Sequence, residues 1–314
     1  MDNFILSFNV VMPLFLTMLF GYLLKLTHFL DDEFLAKLNR LSFNRILPIM
    51  LFMNVYGASG DLSKVFNFKL LAFALGAVAL TTLLLFLLIP KIEPEDRRRG
   101  VLIQGIYRSN FAIFGIPIAN SLYGSAGSAV TAVVIAVVVP FFNILAVIVL
   151  ETFRSGKTSL KTISQQILKN PLIIGSVLGI VFLLTGLKLP VFLEKTVSDI
   201  SKIATPLALI ILGGSFHFSS VKAHLKQLIL GVTGRLLLVP LLFIPIAMAL
   251  GFRDVDLATL IALFGAPTAV SSYTMAQQMG GDSELADHLV VFSALFSVLT
   301  MFFWIYLAKS LAKI

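Results

Sequence analysis

Apolar runs of about the length that crosses a bilayer recur ten times along this chain, near residues 4–24, 41–57, 68–90, 101–124, 128–150, 171–187, 199–216, 227–250, 257–279 and 287–308. A spanning helix needs about 20 such residues, and hydrocarbon tolerates only segments whose backbone groups bond internally. Ten runs in 314 residues leave room for short loops and for no separate catalytic domain. Composition agrees, with 58% apolar and 13% charged residues, where a soluble domain has roughly 45–50% and about 25%. A chain so poor in charge cannot coat itself for water. The expectation is an all-α polytopic membrane protein of ten transmembrane helices. The second and seventh runs are shorter and more polar than a lipid-exposed helix needs to be, which points to packing against protein rather than lipid.

The net charge of +8 would suggest nucleic acid in a soluble protein, but here the basic residues lie between apolar runs, where they set topology. Fourteen Lys and Arg, from Lys25 to Lys226, fall in loops on one side, and eight fall on the other. The first side is therefore read as cytoplasmic, with both termini outside the cell membrane. The start, Met1-Asp2-Asn3, lacks a basic region and a cleavage site follows nowhere nearby, so the first run is read as a retained helix. Absence of cysteine excludes disulfides and thiolate metal sites. His28, His217, His224 and His288 fall at run edges without ligand spacing and read as solvated loop residues. No enzyme signature is present, so neither catalysis, nor a cofactor, nor a metal is expected.

Sliding the chain on itself by 158 residues superimposes Pro13 on Pro171, Gly21 on Gly179, Phe34-Leu35 on Phe192-Leu193 and Pro48 on Pro206, with nine identities over residues 13–48. Sliding it by 150 lays Phe114-Gly115-Ile116-Pro117-Ile118-Ala119 on Phe264-Gly265-Ala266-Pro267-Thr268-Ala269. The eight-residue difference between the two offsets reads as a change of loop length. Two halves follow, 1–155 and 156–314, each with five helices. Five is odd, so the second half enters the membrane from the opposite side, and inverted repeats of this kind mark secondary transporters.

The fourth and ninth runs each carry a Gly two residues ahead of a Pro. Pro117 cannot donate to the carbonyl of Ile113, nor Pro267 to that of Leu263, so both helices are expected to break there. Freed backbone groups at mid-membrane are tolerated only inside protein or beside a wet cavity. Crossed breaks would aim two helix N-termini, near Ile118 to Ser121 and Thr268 to Ser271, at an anionic group. Asn110, Gly115, Asn120, Ser272, Tyr273 and Gln277 cluster around them. Arg108 sits eight residues inside the run that starts near Gly100, about 12 Å of helix. It either snorkels to the surface or faces the cavity, where it would pair with a carboxylate. Arg235, at similar depth in the eighth run, is read as snorkelling. No Asp or Glu lies near the centre of a run, and the acidic residues from Asp282 to Asp287 read as a loop, which disfavours cation/proton antiport.

With Asn110 seven residues ahead of Pro117 in FGIPIANSLYG, the paired APTAVSSYTMAQQMGGD and the following ELADHLVVFSAL, the chain resembles the auxin efflux carrier family along its whole length. The resemblance implies two inverted five-helix repeats, a scaffold of helices 1, 2, 6 and 7, and a transport domain of helices 3–5 and 8–10. It implies a substrate site at the Pro117/Pro267 crossover with Asn110 as a binding residue, a homodimer formed through the scaffold, and cargo such as auxin, malonate or malate. The long central loop of the plant carriers is missing, since residues 151–170 are short and basic, so auxin itself is not carried over. The expected function is secondary transport of a small organic anion by alternating access, with Asn110, Arg108 and the helix amides on its carboxylate. Ser271, Ser272, Tyr273 and Gln277 would line the opposing side. The alternatives are a sodium-coupled symporter of the bile-acid type and a membrane-embedded sensor without flux.

Overall fold

The computed structural model describes residues 2–58, 67–154, 160–311 and 314, which are almost wholly helical. In chain order come α1 (Asp2–Leu26), α2 (Asp32–Leu41), a π-helical turn (Ser42–Ile46), α3 (Leu47–Tyr56), α4 (Phe68–Ile92), α5 (Asp96–Tyr107) and α6 (Phe111–Thr152). After these come α7 (Leu160–Lys169), α8 (Pro171–Thr185), α9 (Val191–Ser215), a 3-10 turn (Phe218–His224), α10 (Leu225–Thr233) and a second π-helical turn (Gly234–Leu238). The chain closes with α11 (Val239–Ala249), α12 (Asp254–Gly265), α13 (Ser271–Gln278) and α14 (Ser283–Ser310). Among the described residues the strand-like geometry is an isolated antiparallel bridge between Ser109 and Thr268. Lys64, Lys157 and Lys313 of the loop-charge balance lie outside the described residues.

Among the described residues six helical stretches are long and apolar enough to cross a membrane, or seven if the α7–α8 pair, bent by 63°, acts as one span. This is a multi-pass membrane architecture. Three of the ten runs fall short as single apolar helices: the fourth is interrupted between α5 and α6 and the ninth between α12 and α13, while the second, with Asn44, Arg45 and Asn54, is too polar over the length of a span. The fourth run's second half joins the fifth run in the 42-residue α6, which turns at Gly124 with φ 63° and ψ −148°. Only glycine enters that backbone region without a steric penalty.

Prolines set several of these interruptions. Both π-helical turns end two residues before a proline, Pro48 and Pro240. Pro240 has no N–H for the Leu236 carbonyl, and the Trp304 indole takes that carbonyl at 3.2 Å. Glycines set the closest helix approaches. A Cβ on Gly213 would stand 1.8 Å from the Met18 carbonyl oxygen, and one on Gly21 would stand 2.2 Å from that of Ile210, so α1 and α9 touch backbone to backbone. The α3 and α8 pair is joined the same way through Gly175 against Pro48 and Gly179 against Phe52. From these two close pairs α3, α8 and α9 form one wall of a cavity, and the interrupted helices form the other.

Candidate functional site

The two interrupted runs meet at their breaks. Asn110 donates its N–H to the Pro267 carbonyl at 2.7 Å, and Ala269 donates to the Arg108 carbonyl at 3.1 Å, closing the Ser109–Thr268 bridge. The freed backbone groups of each break are thus satisfied by the other. Thr268 ties the crossing further, with its N–H on Ser293 Oγ at 3.0 Å and its hydroxyl on the Gly105 carbonyl at 2.7 Å. Pro267 lies in the break as expected. Pro117 does not: the first break falls at residues 108–110, and Pro117 sits in the second turn of α6, exposed. A proline removes one N–H from a helix, whereas the crossing at residues 108–110 exchanges two backbone hydrogen bonds with its partner, and the crossing decides where the helix stops.

Beside the crossover lies a cavity of about 270 Å³. Arg108, Ser109, Asn110 and Ser271 line it from the crossed segments, and Asn54, Ser201, Lys202 and Thr205 from α3 and α9. Arg108 faces this cavity rather than snorkelling, and only 3% of it is exposed. Its guanidinium donates to Asn143 Oδ1 at 2.5 Å, Ser271 Oγ at 2.9 Å and Gln104 Oε1 at 3.3 Å. All are neutral acceptors, and no carboxylate pairs with Arg108 among the described residues. A buried guanidinium without a counter-charge, with a planar fork of donors, suits an anionic oxygen pair. Neither α6 nor α13, whose N-termini lie at the cavity, has a side-chain N-cap, so both add a partial positive charge.

The other sequence candidates divide. Gly115 packs on Phe111 and Thr131, Ile118 is core, and Asn120 Oδ1 accepts from Ser128 at 3.1 Å across the Gly124 turn, so these three lie away from the cavity with Pro117. Ser272 is buried behind the crossover, its carbonyl accepting from Gln104 at 3.0 Å. Tyr273 and Gln277 line a second cavity of about 160 Å³ with Asp32, His217, Glu284 and Asp287. Reading the sequence missed Asn54, Asn143, Lys202 and Thr205; the polarity of the seventh run was the one signal for the last two.

The family model described as "Membrane transport protein" matches this chain over residues 6–167 and again over 155–305. The chain belongs to that auxin efflux carrier-like family. An uncharacterized transporter of Methanothermobacter thermautotrophicus is 25% identical over 309 residues, covering 95% of this chain and 97% of the relative. An uncharacterized transporter of Methanocaldococcus jannaschii is 23% identical over 304 residues, covering 94% and 97%.

In this membrane transport protein three further sequence expectations are corrected. Arg235 is 1% exposed and does not snorkel; it bonds backbone carbonyls at the crossover. His224 and His288 are buried rather than solvated. Asp287 lies inside α14 at 1% exposure, not in a loop, because the helix begins at Ser283 under an Asp282 N-cap. Asp282 accepts from the Leu285 N–H at 3.0 Å and from Arg98 Nε at 3.1 Å, with His224 Nε2 at 3.4 Å. Burial opposes its charge, but the Leu285 N–H, the Arg98 guanidinium and His224 outweigh burial and hold the carboxyl below its usual range. Its contribution to stability is therefore present above about pH 4, the ordinary carboxylate range, and is lost as pH falls through the depressed value. Asp282→Asn keeps the cap and removes the charge. It is expected to cost about 1 kcal/mol at neutral pH, with a melting deficit that narrows below about pH 4; a deficit unchanged across that range would contradict the assignment.

Proposed function

We propose that this transporter is a secondary carrier of small organic anions. The observation that carries the reading is Arg108, a buried guanidinium with neutral partners, facing a cavity between two sets of helices. Its volume of about 270 Å³ lies below the roughly 300–1,000 Å³ that hold drug-sized ligands, which favours a carboxylate of a few carbons. Arg108 and Asn110 hold the carboxylate, and Lys202 and Asn54 meet it from the facing wall.

In this reading the chain crosses the membrane ten times as two inverted repeats, 1–155 and 156–314. The 158-residue shift supports it: it carries Gly21 onto Gly179 and Phe52 onto Ile210, so the Gly21–Ile210 and Gly179–Phe52 contacts exchange. It also carries the break at residues 108–110 onto 266–268, whereas the FGIPIA match at a shift of 150 pairs a continuous helix with a broken one. The close-packed α1, α3, α8 and α9 form the scaffold in the cell membrane, and the crossover helices move against it. Both termini lie outside the cell.

Thermal melts of the detergent-solubilised protein with acetate, malonate, malate and indole-3-acetate, against amines of matched size, test the site. Binding to the folded state raises stability by about 2.7 kcal/mol at one hundred times Kd. At least one carboxylate and no amine is expected to stabilise the protein, and proteoliposomes should accumulate that carboxylate. Stabilisation by amines alone would defeat the anion reading, and binding without flux would indicate a sensor.

A further inference from the structure

We infer that Arg235 is a resident cation of the crossover: it holds the C-terminal ends of both half-helices, where other carriers hold a coupling ion, and so frees transport from any inorganic cation. The inference rests on the transport reading above and names how that site is coupled. Its basis is geometric. The first half-helix, α5, ends at Tyr107, and the second, α12, ends at Gly265. Arg235 Nη1 donates to the Ile106 and Tyr107 carbonyls at 3.0 and 3.1 Å, and Nη2 donates to the Leu263 carbonyl at 3.2 Å and to that of Phe264. One guanidinium thus bridges carbonyls in the last turns of two helices.

The charges match. Each helix C-terminus carries roughly half a negative charge, so two together amount to about one, the charge of one guanidinium. No carboxylate pairs with Arg235 among the described residues, and the helix ends are its counter-charge. Carriers with broken helices use these C-terminal ends and unwound carbonyls to coordinate sodium or protons. Here four such carbonyls are already engaged. Pro267 leaves the Leu263 carbonyl without its helical donor, and Arg235 supplies one. The π-helical turn over Gly234–Leu238 carries the residue to this point, and Gly234, without a Cβ, leaves room for the Ile106 side chain packed against it. Arg108 on the cavity side and Arg235 on the carbonyl side then act differently: the first offers its charge to a ligand, the second spends it on the fold's own dipoles.

Arg235 is therefore a positioning residue, and its test reads charge rather than bulk. Wild-type melting temperature and carboxylate uptake are expected to be the same in sodium, potassium and choline chloride; a sodium requirement for either would overturn the inference. Arg235→Ala is expected to melt lower and to lose uptake at least tenfold. Millimolar guanidinium is expected to restore both, while urea, of the same shape without charge, restores neither; equal rescue by urea would overturn it. Should Arg235→Ala fail to fold, Arg235→Lys and Arg235→Met separate the same question, the lysine variant retaining more uptake and stability than the methionine one. Methionine performing as well as lysine would again overturn the assignment. The melts need no substrate. Guanidinium rescue of stability in a protein that carries no carboxylate would therefore count against the transport reading and leave the resident cation standing.

Discussion

Replacing Arg108 with glutamine is expected to reduce carboxylate uptake about a hundredfold or more while leaving the melting temperature unchanged or raised. A hundredfold corresponds to about 2.7 kcal/mol, within the roughly 2–5 kcal/mol that follows removal of one partner from a buried charge pair. In the ligand-free protein the Arg108 guanidinium is buried against Asn143, Ser271 and Gln104, all neutral. Desolvation of that charge is not offset by a carboxylate, so its removal costs the fold little. Stability and uptake should then move independently. Arg108→Lys retains charge but loses the planar fork and is expected to fall between the two. Uptake at wild-type level in the glutamine variant would remove Arg108 from the site.

Gly213→Ala is expected to act on the fold instead, costing about 3 kcal/mol or more. A Cβ there would meet the Met18 carbonyl oxygen at 1.8 Å, and backbone on both sides leaves no flexible side chain to yield. The α1–α9 contact must open, and the wall that faces the cavity opens with it. Thermal melts should show a loss of ten degrees or so or no folded protein, against Gly76→Ala as control. Gly76 lies in α4 with nothing within 4 Å of an added Cβ, so alanine there is expected to gain up to about 1 kcal/mol from helix propensity. Equal melting of the two variants would mean that the α1–α9 approach is not tight.

Hydrophobic runs announced the helices because lipid and backbone chemistry leave a chain of this composition few other arrangements. Pro267 marked one break, and the other, at residues 108–110, emerged only in the fold. Pro117 misled, because a proline withdraws one donor and says nothing about whether another group will supply a better partner elsewhere. The same limit applies to Arg235, where burial is tolerated only because four carbonyls from residues 106–107 and 263–264 converge on it. Asp287 and His288 read as loop because helix α14 starts earlier than its apolar run, under the Asp282 cap.

What residue order settled is the solvent: fifty-eight apolar residues in each hundred and their grouping into spans require a bilayer, and Pro267 marked one interrupted helix within it. What the tertiary structure decided is where those interruptions cross and which charge faces which cavity. Arg108 and Arg235 look alike along the chain, each a lone cation in an apolar run. Their difference arises from neighbours brought together from near and far in sequence, Gln104, Asn143 and Ser271 around Arg108 and the carbonyls of residues 106–107 and 263–264 around Arg235, because a buried charge is defined by the dipoles and acceptors that surround it, and only the folded chain brings those together.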